Sequence, residues 1–418
     1  MSTQPLTKSA DYNPVSIGII GGGAAGMMAA GVALSLGASV TIFESTDRLG
    51  KKLAITGKGR CNVTNNCSIN EFLENVTKNP RFLYAALNAF TPEDTITFFE
   101  EHGVKLKTER GNRVYPESDR AKDIVDALRK YSSAATVKYE KVTNLKKKDG
   151  SFNVITKNGV YVFDRMIVAT GGKSYPLTGS DGSGYKLCTS LGHTVTELIP
   201  SLIPLTSPSR LCSDMQGLSL RNVKISIKDQ SGKVLYDDFG EMMFTHFGLT
   251  GPVILSASSR IRDVDLGSLS ISIDLKPALD EKTLDARLLS DFEKNSNKDL
   301  VNSLGDLLPT KMIRPFISYT GIDERKKVNS LTKEDRKNIL SALKSFTIPL
   351  SGRRPIEEAI ITSGGIETKE ISPKTMESKI VEGLYFAGEI IDVDAYTGGF
   401  NLQIAFSTAY LAATNASY

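Results

Sequence analysis

Net charge, cysteine and histidine are all scarce in this chain. Its 51 Lys and Arg against 47 Asp and Glu leave a formal charge of only +4 over 418 residues. So even a balance argues against nucleic acid or an anionic membrane as the main partner, since both are held by concentrated basic charge. The one basic cluster, Lys146 to Lys148, adjoins an Asp149-Gly150 turn and reads as the solvated end of a hairpin. Four cysteines (Cys61, Cys67, Cys188, Cys212) with no CxxC pair suit a reducing compartment. Three histidines are too few for a rich zinc site, so no metal is expected. Ahead of the first apolar run stand one Lys and one Asp and no basic cluster, which makes a poor signal peptide. Residues 1–13 read as a short disordered lead, and a cytoplasmic location is expected. Hydrophobic content of 40% and charged content of 23% describe an ordinary soluble globular protein with room for two or three domains.

One long charge-free run is present. Thirty-two consecutive residues, Tyr12 to Phe43, carry no charge, and Glu44 follows them. Length alone permits a membrane span, and Gly22-x-x-x-Gly26 matches a membrane-helix dimer motif. The spacing inside the run points elsewhere. Val15–Ile20 predicts a short buried strand, and Gly21, Gly22 and Gly23 a tight turn. Ala24–Leu36 predicts a helix with Gly37 as its stop, and Val40–Phe43 a second strand. Gly21-x-Gly23-x-x-Gly26 is then the dinucleotide fingerprint of a βαβ unit. Its first Gly permits the turn, its second lets backbone approach a pyrophosphate, and its third lets helix and strand pack closely. Unpaired N–H groups at the helix start, around Ala24 and Ala25, are placed to hold phosphates. Glu44, 18 residues past Gly26, is placed to accept hydrogen bonds from ribose hydroxyls. No other run approaches a membrane span.

Residues 51–65, KKLAITGKGRCNVTN, form a Gly- and Lys-rich loop. Thr91-Pro92-Glu93-Asp94 is a helix start, with Thr91 as cap, and Gly103 ends that helix. A second helix is expected over 121–131. Between 137 and 164 the pattern shortens to alternating runs, with hairpin turns at Asp149-Gly150 and Asn158-Gly159. Met166–Ala169 reads as a buried strand ending in Thr170-Gly171-Gly172, small residues that let backbone pass close to a ligand. Candidate strands follow at 223–227, 233–236 and 269–275. Helical periodicity then sets in, and Thr332 and Asp335 have capping-box spacing. Strand character returns at 346–350 and 359–362. Gly383–Ala387 is a strand, Gly388-Glu389 a turn, Tyr396–Asn401 a Gly-rich loop, and 402–413 a final helix. The expected fold class is α/β. A split Rossmann-type dinucleotide domain (14–197 and 367–418) encloses a β-rich domain (198–278 and 345–366), which carries a small helical insertion (279–344).

Six segments occur in order: GGGAAG, FES–DRLGKKLAITGKGRCNVTN, VATGGKSYP–TGSDGSGY, FTHFGLTGPVIL, ITSGGI and GLYFAGEIIDVDAYTGGFNLQIA. Together they resemble the bacterial BaiN-like flavoproteins, also called the aminoacetone-oxidase family of FAD-binding enzymes, from Ile17 to Leu411. The resemblance implies non-covalent FAD in a Rossmann-type domain of the glutathione-reductase kind, a barrel-like middle domain and the helical insertion. It also implies an oxidoreductase acting on a small organic molecule. Amine oxidation and reduction of unsaturated 3-oxo bile-acid intermediates are among the family's activities. Gly21, Gly23, Gly26 and Glu44 match the FAD fingerprint. Lys51 and Lys52 fall where such proteins place a basic residue near the pyrophosphate. Thr170 and Gly171 match the motif flanking the adenine side. Gly388 and Glu389 match a second FAD motif whose acid binds the ribityl chain; the wider superfamily more often has Asp there.

FAD carries redox chemistry that the protein positions and tunes. Gly398, Gly399, Phe400 and Asn401 lead into the last helix, where N–H groups can face the flavin pyrimidine edge; the alternative is a plain cap made by Asn401. Gly57, Arg60, Cys61, Asn62 and Asn65 are expected at the cofactor, with Lys173, Ser174, Tyr175, Thr245 and His246. His246 is the best candidate acid or base, against a structural hydrogen-bonded role. His102 is expected at the surface and His193 to be structural. Five residues separate Cys61 from Cys67 where flavoprotein disulfide reductases have four, so no redox disulfide is expected. Gly182-x-Gly184 follows a loop and reads as an ordinary helix start. NAD(P)H is therefore expected at most as a transient reductant. Three other readings stay open: an NAD-dependent dehydrogenase without flavin, a nucleic-acid-associated flavoprotein, and a flavoprotein without turnover.

Overall fold

The computed structural model describes residues 14–261 and 264–418. The lead read at 1–13 lies outside the described residues. The chain divides into two compact units, one joining the residues up to Ile199 with Ile361–Tyr418, the other being Pro200–Ile360.

The first unit is built on a five-stranded sheet. Its strands are, in spatial order, Leu384–Phe386, Arg165–Val168, Ser16–Ile20, Ser39–Phe43 and Thr136–Lys138, all parallel. The opening strand lies in the middle, with Ser16 opposite Ser39 and Ile20 opposite Phe43. Its neighbours are as apolar as it is, as a sheet covered on both faces requires. The helix Ala24–Ser35 is buried nearly all round. It packs against the closing helix, Phe400–Ala416, and the helix Ala121–Tyr131. Gly31 allows the latter contact, since a Cβ there would stand 2.0 Å from the Tyr131 ring. Thus the charge-free run folds as a βαβ unit. Among the described residues no helix is long and apolar enough to cross a membrane.

The helix Pro92–Glu101 starts in a capping box between Thr91 and Asp94, and Gly103 follows its end with φ +83°. A three-stranded antiparallel sheet spans 144–163. Its first turn is Asp149-Gly150, both residues left-handed, as a two-residue hairpin prefers. The second turn falls one residue earlier than the sequence suggests. Thr156 pairs with Gly159, so the loop is Lys157-Asn158. The Thr156 hydroxyl, which accepts the Asn158 N–H at 3.1 Å, fixes that frame. A small sheet of Thr64–Asn65, Arg113–Pro116 and Leu106–Glu109 completes the parts that bear on the site.

The second unit centres on a seven-stranded sheet. Its longest member, Val234–Thr245, pairs with Ser219–Lys228. Only 233–236 was legible as strand there, because Asp237, Asp238, Gly240 and Glu241 interrupt the apolar alternation on both faces of the strand. Ile225, Ile227, Ile271, Ile273, Phe346 and Ile348 form the inner face. They share one core with Leu284, Leu288, Ile339 and Leu343 from the helices Glu281–Lys294 and Lys333–Lys344. The capping box at Thr332 and Asp335 is formed.

Candidate functional site

The glycine turn is shaped by what surrounds it. Gly21 has φ +104°, and its N–H donates to the Phe43 carbonyl at 2.8 Å. A Cβ on Gly26 would stand 1.8 Å from the Gly21 oxygen, so the helix sits directly on the turn. Gly23 differs: a Cβ there meets nothing within 4 Å. It is the N-cap of the first helix, with no side-chain cap and no acid in the first turn. The N–H groups of Ala24, Ala25 and Gly26 therefore face an open cradle, the setting in which helix starts bind phosphate. Glu44, 7% exposed, ties the turn to the second strand. Its carboxylate accepts the Gly22 N–H at 2.9 Å and the Thr46 N–H at 2.7 Å. Further lone pairs stay available on the same oxygens.

Within 51–65 the chain folds into a 3₁₀ segment, Leu53–Gly59, interrupted at Thr56, Gly57 and Lys58. The two lysines part company. Lys51 pairs with Asp47 at 3.1 Å on the surface. Lys52 donates to Glu389 Oε2 and to Ser174 Oγ, each at 2.8 Å. Glu389 Oε1 accepts the Thr362 N–H at 2.8 Å. The turn at 388–390 is thus joined to residue 52 across 337 positions of sequence.

Arg60 lies in a network of its own. Its guanidinium donates to Glu109 and to Asp119, both within 3.0 Å, and sits 4.2 Å above the Tyr115 ring. Cys61 is fully buried with φ +60°, and burial pushes its thiol up to about 12. Cys67 is pushed up to about 11, again by burial. Both are free thiols, and both stay protonated near neutral pH, which makes them poor nucleophiles.

Among the described residues of this unit, Asn62 Oδ1, Thr170 Oγ1 and Ser180 Oγ are buried without a protein partner. A Cβ on Gly171 would stand 3.0 Å from Ser180 Oγ, and one on Gly184 would stand 1.9 Å from Thr170 Oγ1. Orphaned hydroxyls beside a glycine turn are the signature of a seat for a polar ligand. Lys173 and Tyr175 follow, both exposed, while Ser174 is buried.

The closing helix starts two residues earlier than expected, at Phe400, after Gly398 and Gly399, whose φ values are +132° and +96°. Its first turn has no side-chain cap. Asn401 is not that cap. Its amide binds Ala395 through both N–H and C=O, at 3.0 and 2.8 Å, and so fastens the preceding loop. The N–H groups of Phe400, Asn401 and Leu402 have no intrahelical acceptor.

His246 belongs to the second unit. With Phe247 it forms the two-residue turn between Val234–Thr245 and Gly248–Thr250. Its ring is exposed and meets Phe247 edge-on at 5.0 Å. His193 is buried between Glu370, 3.2 Å from Nδ1, and Ser378, 3.0 Å from Nε2, a structural setting. His102 is half-buried rather than on the surface, with Nδ1 2.6 Å from the Phe98 carbonyl.

An open phosphate cradle, an acid at the end of the second strand and a second acid paired with Lys52 fit FAD. Comparison with known proteins agrees: the HI0933-like protein Rossmann domain family matches residues 15–415. The chain belongs to this family. It is an FAD-dependent oxidoreductase. A 3-dehydro-bile acid delta(4,6)-reductase of Clostridium scindens is 30% identical over 403 residues, covering 95% of this chain and 97% of that protein. A ribosomal RNA dihydrouridine synthase of Escherichia coli is 31% identical over 402 residues, covering 94% and 96%. Among solved structures, a 3-ketosteroid-delta4-(5alpha)-dehydrogenase from Rhodococcus jostii aligns at TM-score 0.52 with 12% identity, over 97% of each chain. That last likeness concerns the fold alone.

Proposed function

We propose that this flavoprotein saturates a carbon–carbon double bond conjugated to a carbonyl in a small organic substrate. The observation that carries this reading is the similarity over nearly the full chain to two relatives with different substrate names. Both names describe saturation of a double bond, and in both rings that bond is conjugated to a carbonyl. When bound, FAD supplies hydride exchange with a carbon of the substrate at flavin N5. The protein's part is to hold and orient. The N–H groups at Gly23–Gly26 receive the pyrophosphate, Glu44 the adenosine ribose, and Glu389, charge-balanced by Lys52, the ribityl chain. Phe400 and Asn401 present helix-start N–H groups to the flavin pyrimidine edge.

Hydride delivery to the β-carbon leaves an enolate, and a proton must then reach the α-carbon. His246 is our candidate donor, because its imidazole is exposed and its turn is held by the Thr245 hydroxyl on the Gly248 carbonyl at 3.0 Å. Lys173 and Tyr175, exposed beyond Gly171, are proposed as substrate contacts. NAD(P)H is proposed as a transient reductant. A second reading places the conjugated ring in RNA, as a uracil base, and the dihydrouridine-synthase-named relatives favour it. Anaerobic stopped-flow separates the readings. Reduced holoenzyme is mixed in turn with a 3-oxo-Δ4 steroid and with an unmodified ribosomal RNA fragment, and oxidised holoenzyme with a primary amine. Reoxidation by the steroid supports the main reading, and reoxidation by RNA alone supports the second. Bleaching by the amine alone contradicts both. His246→Ala should slow reoxidation while FAD stays bound.

A further inference from the structure

We infer that Asn65 is a positioning residue for the flavin: through backbone carbonyls it sets where the start of the closing helix points. The inference rests on the proposed placement of that helix at the flavin pyrimidine edge. Asn65 touches carbonyl groups, and its effect on the cofactor passes through them.

The geometry is specific. Asn65 is 5% exposed, and its amide Nδ2 donates at 3.0 Å to Gly398 O and at 3.0 Å to Gly111 O. Gly398 belongs to the turn that launches the closing helix. Gly111 is the tip of the hairpin joining Leu106–Glu109 to Arg113–Pro116. One side chain therefore ties the helix start to a separate, hydrogen-bonded sheet. The neighbouring residue reinforces the tie. Thr64 Oγ1 donates to Gln403 Oε1 at 2.6 Å, and Gln403 Nε2 reaches Phe90 O at 3.1 Å and Ser407 Oγ at 3.0 Å. Thr64, Gln403 and Ser407 are all fully buried. Gly399 packs so tightly on Thr64 that a Cβ would stand 2.3 Å from the Thr64 carbonyl. The helix start thus has one deep anchor at Gln403 and one forward anchor at Gly398, and Asn65 supplies the forward one.

The consequence is electrostatic. Helix-start N–H groups stabilise negative charge only within the first turn, so small displacements change their effect. Reduction builds negative charge on the flavin pyrimidine. A well-aimed helix start therefore binds reduced FAD better than oxidised FAD, and raises the potential. Asn65→Leu removes both donors while keeping volume and apolar packing. Asn65→Ser keeps one short donor.

The test measures the two-electron midpoint potential of FAD in the holoenzyme, with oxidised-FAD affinity and the melting temperature measured alongside. For Asn65→Leu the preference for reduced over oxidised FAD should fall about tenfold, which is about 30 mV for a two-electron couple. Asn65→Ser should lie between it and wild type, and it carries the comparison if the Leu variant does not fold. Asn401→Ala, which loosens the same helix start from Ala395, is the reference. A potential that moves with Asn401→Ala but stays at the wild-type value in both Asn65 variants overturns the role of Asn65 and leaves the site reading intact. A potential unmoved by all three variants removes the helix start from the flavin edge, and the inference with it.

Discussion

Replacing Gly23 by valine should abolish FAD binding and leave the apoprotein standing. A Cβ at Gly23 meets no protein atom within 4 Å, and its φ of −81° and ψ of −163° suit any L-residue. Valine is a poorer N-cap than glycine by about 0.5–1 kcal/mol. The narrower unfolded ensemble offsets about 0.4–1 kcal/mol of that. The apoprotein melting temperature should therefore move by no more than about 2–4 °C, the shift that ~1 kcal/mol makes in a domain of this size. The cofactor fares differently, because the isopropyl group fills the cradle in front of Ala24, Ala25 and Gly26. Losing two charge-assisted hydrogen bonds to phosphate, at about 1.5–3 kcal/mol each, removes ~3–6 kcal/mol of binding. That is a 10²- to 10⁴-fold rise in Kd. Flavin fluorescence quenching on titrating FAD into apoprotein gives Kd, and a melt of the same sample gives stability. Gly26→Ala is the contrast: its Cβ would stand 1.8 Å from the Gly21 oxygen, so the fold itself should lose several kcal/mol. A Gly23→Val protein that binds FAD at wild-type affinity refutes the phosphate cradle. One that melts far below wild type without FAD refutes the claim that the cradle is open space.

Lys52→Met should weaken FAD binding about tenfold, the ~1.4 kcal/mol of a charge-assisted contact at Glu389, whereas Lys51→Met should change it little, because an exposed i,i+4 pair is worth only ~0.3–0.5 kcal/mol. Isothermal titration of both variants checks the contrast, and equal losses would contradict the assignment of Lys52 to the site. His193 gives a pH signature. Burial lowers its folded pKa, against the opposing pull of Glu370. The unfolded chain therefore takes up a proton that the folded chain resists. Stability should be full above about pH 6.5 and fall as pH drops below it, by at most ~1.4 kcal/mol per pH unit. Denaturant melts from pH 8 to 5 should show that loss in wild type and a flatter profile in His193→Gln. Parallel profiles would assign the loss to other groups.

Much of the fold was legible because its signals are local. The glycine turn, Glu44, the Thr91–Asp94 and Thr332–Asp335 boxes and the Asp149-Gly150 turn each depend on residues close in sequence. What escaped depends on distant partners. Nothing near Arg60 announces Glu109 and Asp119, which take its donors. Nothing near Lys52 distinguishes it from Lys51, yet only Lys52 finds Glu389. Asn401 has the residue type of a cap but stands inside the first turn, and its amide is spent on Ala395. The Lys157-Asn158 turn was misplaced by one residue because Asn-Gly is the stronger local signal. The Thr156 hydroxyl decided the frame instead. Asn65 is expected at the cofactor from its loop, but nothing near it announces its two acceptors, backbone carbonyls 46 and 333 positions away.

The most direct test of the central claim is the visible spectrum of the purified protein, with the released cofactor identified after mild denaturation. A flavin spectrum and free, intact FAD are predicted, because every contact assigned to the cofactor is non-covalent and the cradle at Gly23 is open. A colourless protein that added FAD cannot reconstitute would contradict the account.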